Sequence, residues 1–385
     1  MIMDFDLSQH HTDMAAKVAE FARGEVAPGA SERDRDAQFP LSLWRRMGDA
    51  GLPGLLVPSE YGGGGTDFLT AAVAFENFAR YGHDMGLCIS LTVTTLLCHF
   101  QVLRHANEEQ RRRYLPSLAR GERIGAFAVS EREHGAHPRY LKTTAERDGA
   151  TYVVNGRKMY ITNGPVADLV IVFAVTERIG DRNGISAFFV EKGTPGFSVG
   201  EIMELDFCRS SPHSELVFDN CRVPEENLIG EENAAYDSMV RGVRETEDSL
   251  GMASYAGFLR WQLELASSYL NRLGGDVTDE QLELLSDVAS IAEAARTVAY
   301  KVAWLRDAGK EAAVEFAACG FYFQGLVGSA IKALESICGV QEEAVGSELK
   351  RSLRDMKIAL IGRNVARIRK QNLARKLIAE RRPAV

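Results

Sequence analysis

Two hydroxyls and an aromatic ring stand where a folded chain could aim them at a small ligand. Ser130 closes the run AFAVSE, and Tyr160 and Thr162 lie in KMYITNG. Both runs read as strand ends, and short polar side chains there are held by a rigid scaffold. The plainer alternative is two ordinary strand hydroxyls and a core aromatic. The segment RGVRETEDS gathers Arg241, Arg244, Glu245, Glu247 and Asp248. At helical spacing these charges pair at i,i+4 on a solvated face. His134 and His137, in SEREHGAHPRY, have no neighbouring carboxylate pattern that would complete a metal site, and they read as loop residues. Six cysteines are scattered without a CxxC pair, which suits reduced thiols and a cytoplasmic location.

The elements that must position these groups fall into three zones, 1–124, 125–232 and 233–385. In the first, MAAKVAEFARGEVAP and LWRRMGDAGLPGLLVP repeat apolar residues at three and four positions, the period of one helix face. Asn107 with Gln110 has capping-box spacing, and SEYGGGGTD reads as a loop. The middle zone changes to short β-branched and aromatic runs such as ATYVVNGRKMYIT and DLVIVFAVTE, separated by Gly, Asn and Pro. The third returns to helix, with EQLELLSDVASIAEAARTVAYKVAWLRD as a long amphipathic stretch. Segregated helices and strands predict an α+β fold, and no GxGxxG opens a helix after a strand. The chain of 385 residues carries a net charge of −8, which disfavours a phosphate backbone as partner. The basic run RNVARIRKQNLARKLIAERR then reads as a solvated helix face. No 18-residue apolar window and no secretory pattern at MIMDFDLSQHHTDM are present, so neither a membrane nor export is expected.

Taken in order, FPLSLWRRMGDAGLPGLLVPSEYGGGG, EEQRRRYLPSLARGERIGAFAVSE, NGRKMYITNG, GISAFFVEKGTPGFSVG, SELVFDNCRVPEENLIGEE and RSLRDMKIALIG resemble the acyl-CoA dehydrogenase family. The likeness runs over nearly the whole chain. It implies FAD, an N-terminal helical domain, a central antiparallel β-barrel or sandwich, a C-terminal four-helix bundle, and a homo-oligomer, either dimer or tetramer. It also implies α,β-dehydrogenation of an acyl thioester on CoA or an acyl carrier protein, within fatty acid metabolism. In that reaction a base removes the α-proton while a hydride leaves the β-carbon for the flavin, and an electron-transfer flavoprotein takes up the electrons. Flavin needs hydrogen-bonding groups near N5 and its pyrimidine edge. By the resemblance, Ser130 and Thr162 supply them, Tyr160 lies against the isoalloxazine, and Phe127 and Val129 complete the flavin-side strand. Arg209 and Ser211 fall in another matched segment, where Arg209 either pairs internally or touches a ligand. His134, His137 or Arg139 would line an entrance for a phosphopantetheine arm or an unusual acyl group.

The chain departs from the family at the base. The usual Tyr-Glu-Gly-Thr run follows Arg-Asp-x-Lys, here Arg354 to Lys357, and has become Gly362-Arg363-Asn364-Val365. Arg363 takes the place of the glutamate, and a guanidinium cannot accept a proton. Members that carry the base on the first helix of the C-terminal domain would have it at Arg241. Glu245, one turn on, shares that helix face. It could serve as general base with a pKa raised by an apolar cleft, pair with Arg363, or face solvent. At the adenine end, SSYLNRLGGD keeps Arg272 without the family's Phe, and the Gln-x-x-Gly-Gly run has become Ser336 to Val340, leaving Gly339. Two alternatives stand beside a dehydrogenase: a flavin-dependent monooxygenase or oxidase on the same fold, and a non-catalytic homologous subunit.

Overall fold

The structure is a computed structural model. It describes residues 6–95, 101–180, 182–273, 277–310, 312–338, 346–360, 370, 371, 373–375 and 378, with backbone alone for 179 and 241–248. In chain order the helices are α1 (Gln9–Phe21), α2 (Ala30–Arg35), α3 (Leu41–Asp49), α4 (Phe68–Gly82), α5 (Met85–Thr92), α6 (Gln101–His105), α7 (Glu108–Ala119), α8 (Arg241–Leu273), α9 (Asp279–Asp307), α10 (Ala313–Cys338) and α11 (Ser347–Met356). Between α7 and α8 lie β1 (Gly125–Ala128), β2 (Thr144–Asp148), β3 (Thr151–Thr162), β4 (Leu169–Ile179), β5 (Arg182–Glu191), β6 (Phe197–Met203), β7 (His213–Pro224) and β8 (Leu228–Ile229). The fold is α+β, as expected. It divides into two compact units: Met1–Ser31 with Asp67–Cys88 and Asp248–Val385, and Glu32–Thr66 with Ile89–Glu247.

The first unit is helical. Asp67 caps α4 by accepting the Thr70 N–H at 2.7 Å. Asp307, the last residue of α9, accepts the N–H groups of Phe68 and Leu69 at 2.7 and 2.9 Å. Three donors that the first turn of α4 would otherwise leave open are thereby met. A Cβ at Gly257 would sit 2.0 Å from the Glu76 carbonyl oxygen, so α8 and α4 meet backbone to backbone. Beside that contact the buried Glu76 carboxylate accepts from Arg260 at 2.7 Å and from the Tyr300 hydroxyl, tying α4 to α8 and α9. α8, α9, α10 and α11 share one apolar core around Tyr269, Val288, Leu334 and Leu349.

The second unit is built on one eight-stranded sheet in the order β6-β7-β3-β2-β4-β5-β8, with β1 on β4. β4 is buried on both faces. Leu169, Ile171 and Phe173 pack with Tyr114, Leu115 and Leu118 of α7, while Val170, Val172 and Ala174 pack against Tyr152, Leu216 and Phe218 of β3 and β7. That is why DLVIVFAV reads as a continuous apolar run rather than an alternating one. The capping box forms at Asn107 and Gln110, and the Gln110 amide donates onward to the carbonyls of Glu226 and Leu228, which seats α7 on the sheet.

The expected antiparallel barrel or sandwich is met only as a central sheet, which is neither closed nor wholly antiparallel among the described residues. β1 runs parallel to β4, and β2 meets β4 in the parallel sense at Thr144 and Val175. The sheet is open, with β6 and β8 as its ends and no ladder joining them among the described residues. β8 is two residues long, too short to carry a closing ladder, and Glu201 with the exposed Ile202 faces outward from β6.

Candidate functional site

β3 makes the site by changing face partway along. Tyr152, Val154 and Lys158 are buried at alternate positions. The register against β7 then slips between Lys158 and Ile161, and the inward place passes to Ile161, which is 2% exposed. A one-residue slip of this kind turns every later side chain over. Tyr160 and Thr162, which the unbroken alternation would have sent into the core, stand on the other face. Tyr160 takes φ 64° and is 51% exposed. The left-handed region costs an aromatic L-residue roughly 1–2 kcal/mol, and strain of this kind gathers at ligand sites.

The segment around β1 lies beside this one. Met159 N–H donates to the Ser130 carbonyl at 2.8 Å, and Asn163 Nδ2 donates to the Gly125 carbonyl at 3.2 Å. Residues 125–130 and 159–163 therefore run side by side in opposite directions, which brings Phe127, Val129 and Ser130 next to Tyr160 and Thr162. Phe127 is half-buried, edge-on to Phe173 at 4.8 Å, and Val129 is buried. These two form wall and backbone rather than an exposed face. The Ser130 hydroxyl makes no hydrogen bond among the described residues, whereas Thr162 Oγ1 lies 2.8 Å from His213 Nε2.

Three features behind this surface went unread in the sequence. Lys158, fully buried, donates from Nζ to the Val129 carbonyl and to Glu131 Oε1, each at 3.0 Å. Glu131 also accepts from the N–H groups of Lys142 and Thr143 and from the Thr143 hydroxyl. Burial pushes the Lys158 ammonium down to about 8 against the pull of Glu131, so it stays protonated at neutral pH. Burial raises the Glu131 carboxyl, but Lys158 and the two backbone donors outweigh that and hold it below its ordinary range. The second feature is Asn163, also at positive φ, whose Nδ2 spans the carbonyls of Ser90 and Gly125 while its buried Oδ1 has no partner among the described residues. The third is His213, whose Nδ1 is 3.0 Å from the Ser211 carbonyl. Lys158 did leave a signal: a lysine in phase with the inward Tyr152 and Val154 demands a buried partner.

Of the other predicted residues, Arg209 Nη2 donates to the Arg35 carbonyl, and Ser211 Oγ is 3.0 Å from Ser90 Oγ. His134 and His137 both pack on Tyr140, at 4.6 and 4.8 Å. Together with Lys142, Met159 and Glu215, Tyr140 and His134 line a cleft of about 500 Å³ beside the shelf. Arg272 is exposed in the last turn of α8. Glu245 lies in α8, where the backbone alone is described, and Arg363 and Gly339 lie outside the described residues.

The residues at the shelf fit the polar edge of a planar ring. They offer a hydroxyl with no partner among the described residues, a threonine oxygen with lone pairs to spare, and a flat aromatic face, with no charge among them. Such a set has the chemistry to bind and orient a ring; it holds no group able to take a proton from carbon. Residues 8–122 match the acyl-CoA dehydrogenase N-terminal domain and residues 126–221 its middle domain. An acyl-CoA dehydrogenase of Bacillus subtilis (strain 168) is 36% identical over 365 residues, 92% of this chain and 94% of the relative. Butyryl-CoA dehydrogenase from Megasphaera elsdenii superposes with a TM-score of 0.90 at 28% identity, over 98% of this chain and 100% of that one. A structure described as PigA with FAD and proline does so at 0.90 and 27%, over 97% and 99%.

Proposed function

The chain belongs to the acyl-CoA dehydrogenase family, and from that membership we propose that it oxidises an acyl thioester, carried by CoA or an acyl carrier protein, with FAD on the shelf of Ser130, Tyr160 and Thr162. It is a flavoprotein oxidoreductase of the acyl-CoA dehydrogenase type. The observation that carries the placement is the β3 slip, which turns Tyr160 and Thr162 out beside an unpartnered Ser130 hydroxyl. We read the C-terminal helices as the family's four-helix bundle and the working protein as a homo-oligomer, with an electron-transfer flavoprotein as acceptor.

When bound, FAD supplies the two-electron acceptor for a hydride leaving the thioester β-carbon. The chain must take the α-proton, so that one C–H bond breaks at each carbon and a double bond joins them. We assign that proton to Glu245, one helical turn beyond Arg241. Arg363 cannot take it, and we assign it to pair with Glu245 or with the thioester oxygen. Phe127 and Val129 wall the ring, and Arg272 and Gly339 are assigned to the adenine end.

The test is anaerobic mixing of the FAD-loaded protein with a panel of acyl-CoA thioesters. Loss of the oxidised-flavin absorbance with at least one thioester is expected. No loss with any, together with oxygen uptake when an external reductase feeds the flavin, overturns the reading for the oxygen-activating one that Arg363 also suits. Glu245→Gln is expected to lower turnover by about 10²–10⁴-fold with flavin still bound.

A further inference from the structure

Thr162 on β3 and His213 on β7 are direct partners in register. Thr162 Oγ1 is 2.8 Å from His213 Nε2, and His213 Nδ1 is 3.0 Å from the Ser211 carbonyl. A carbonyl oxygen only accepts, so Nδ1 carries the ring hydrogen. His213 is 9% exposed, and burial holds its ring below the ordinary imidazole value, neutral at pH 7. A neutral imidazole has one N–H, so Nε2 holds a lone pair and the Thr162 hydroxyl must donate to it. The carbonyl that sets this tautomer is itself fixed: Ser211 N–H donates to the Cys208 carbonyl at 2.9 Å, and the Ser211 hydroxyl meets that of Ser90. The hydrogen of Thr162 is therefore committed inward, and its oxygen can offer any ligand nothing but lone pairs.

We propose that His213 is a positioning residue which, through Thr162, turns the hydroxyl beside flavin N5 into a pure acceptor and so favours reduced over oxidised FAD. This rests on the placement of the isoalloxazine argued above. Oxidised N5 offers a lone pair and is best met by a donor. Two-electron reduction with uptake of a hydride leaves N5 bearing a hydrogen, which is best met by an acceptor. A Thr162 free to rotate could serve either form; one held by His213 serves the reduced form alone.

The experiment measures the two-electron midpoint potential of the FAD-loaded protein by spectroelectrochemistry, in the unsubstituted protein and in His213→Val, His213→Gln, Thr162→Val and the Thr162→Val/His213→Val pair. One hydrogen bond at this position is worth about tenfold in the ratio of reduced to oxidised affinity, which is about 30 mV for a two-electron couple. His213→Val is expected to lower the potential by that amount. His213→Gln, whose amide oxygen can accept from Thr162, should stay near the unsubstituted value. In the Thr162→Val background His213→Val should have no further effect. A merely structural histidine would lower the thermal midpoint and leave the potential in place, and that result overturns the proposal. ¹⁵N spectra of the flavin-free, unsubstituted protein test the tautomer without any variant having to fold, and a hydrogen on Nε2 overturns it as well. If the unsubstituted protein takes up no FAD, the function reading and this one fall together; if it does and the potentials do not move, this one falls alone.

Discussion

At the scale of single residues, the shelf is bought with conformational strain and a buried charge. Tyr160 is left-handed at φ 64° and half out in solvent. Replacing it with glycine removes a penalty of roughly 1–2 kcal/mol and adds back a chain-entropy cost of about 0.5–1 kcal/mol. Tyr160→Gly is thus expected to unfold in urea no earlier than the unsubstituted protein while binding FAD more weakly. A loss of about 3–5 kcal/mol, the mark of a core aromatic, would instead make Tyr160 part of the core. Glu131→Gln leaves the Lys158 ammonium buried without its counter-charge and should cost about 3–5 kcal/mol in urea denaturation at neutral pH. Because the folded Glu131 carboxyl lies below its ordinary 4.5, its stabilisation is whole above that value and disappears as pH falls through the range beneath it. The gap between variant and unsubstituted protein should close in acid, as the Glu131 carboxyl takes up its proton. Residue type alone would leave Ser130, Thr162 and Tyr160 as two strand hydroxyls and a core aromatic; they could be picked out in the sequence because the runs that hold them, AFAVSE and KMYITNG, resemble family segments. The pairings behind them could not, since His213 is 51 positions from Thr162 and Lys158 is 27 from Glu131.

At the scale of elements, local rules worked where partners are close in sequence. The capping box at Asn107 and Gln110 spans three positions, and α9 follows the apolar period of its own residues. The same rules gave an antiparallel barrel or sandwich and missed the parallel seat of β1 on β4, because strand order is set by packing between distant runs and leaves no mark in either run alone. The cap that Asp307 provides for α4 was equally out of reach, 239 positions from Phe68. Asp307 is exposed, yet it meets two open N–H groups of α4, and Asp307→Ala is expected to cost about 1 kcal/mol, read as a lower urea midpoint. The loss should be absent from a variant that shortens a surface aspartate such as Asp13, exposed on α1.

At the scale of the whole molecule, a cofactor that binds only the folded chain stabilises it by mass action. FAD at a hundred times its Kd should add about 2.7 kcal/mol, visible as a thermal midpoint that climbs with FAD concentration. FMN, which lacks the adenine end assigned to Arg272 and Gly339, should raise it less. Equal shifts would mean that this end of the dinucleotide goes unheld.

The helical unit is discontinuous: its first two segments precede every strand of the sheet, and its third begins at Asp248. On the ribosome, α1 and α4 emerge long before α8 and α9, which bring Gly257, the partners of the Glu76 carboxylate and the cap for the open end of α4. The β-rich unit has all its strands in hand before that third segment is translated. Domains tend to fold as their residues appear, so synthesis should pass through a stage in which a finished sheet trails an uncovered apolar helix, Ala71 to Phe75 foremost. A pause in translation near the start of α8 would lengthen that exposure, and the chain's demand for chaperones should peak there.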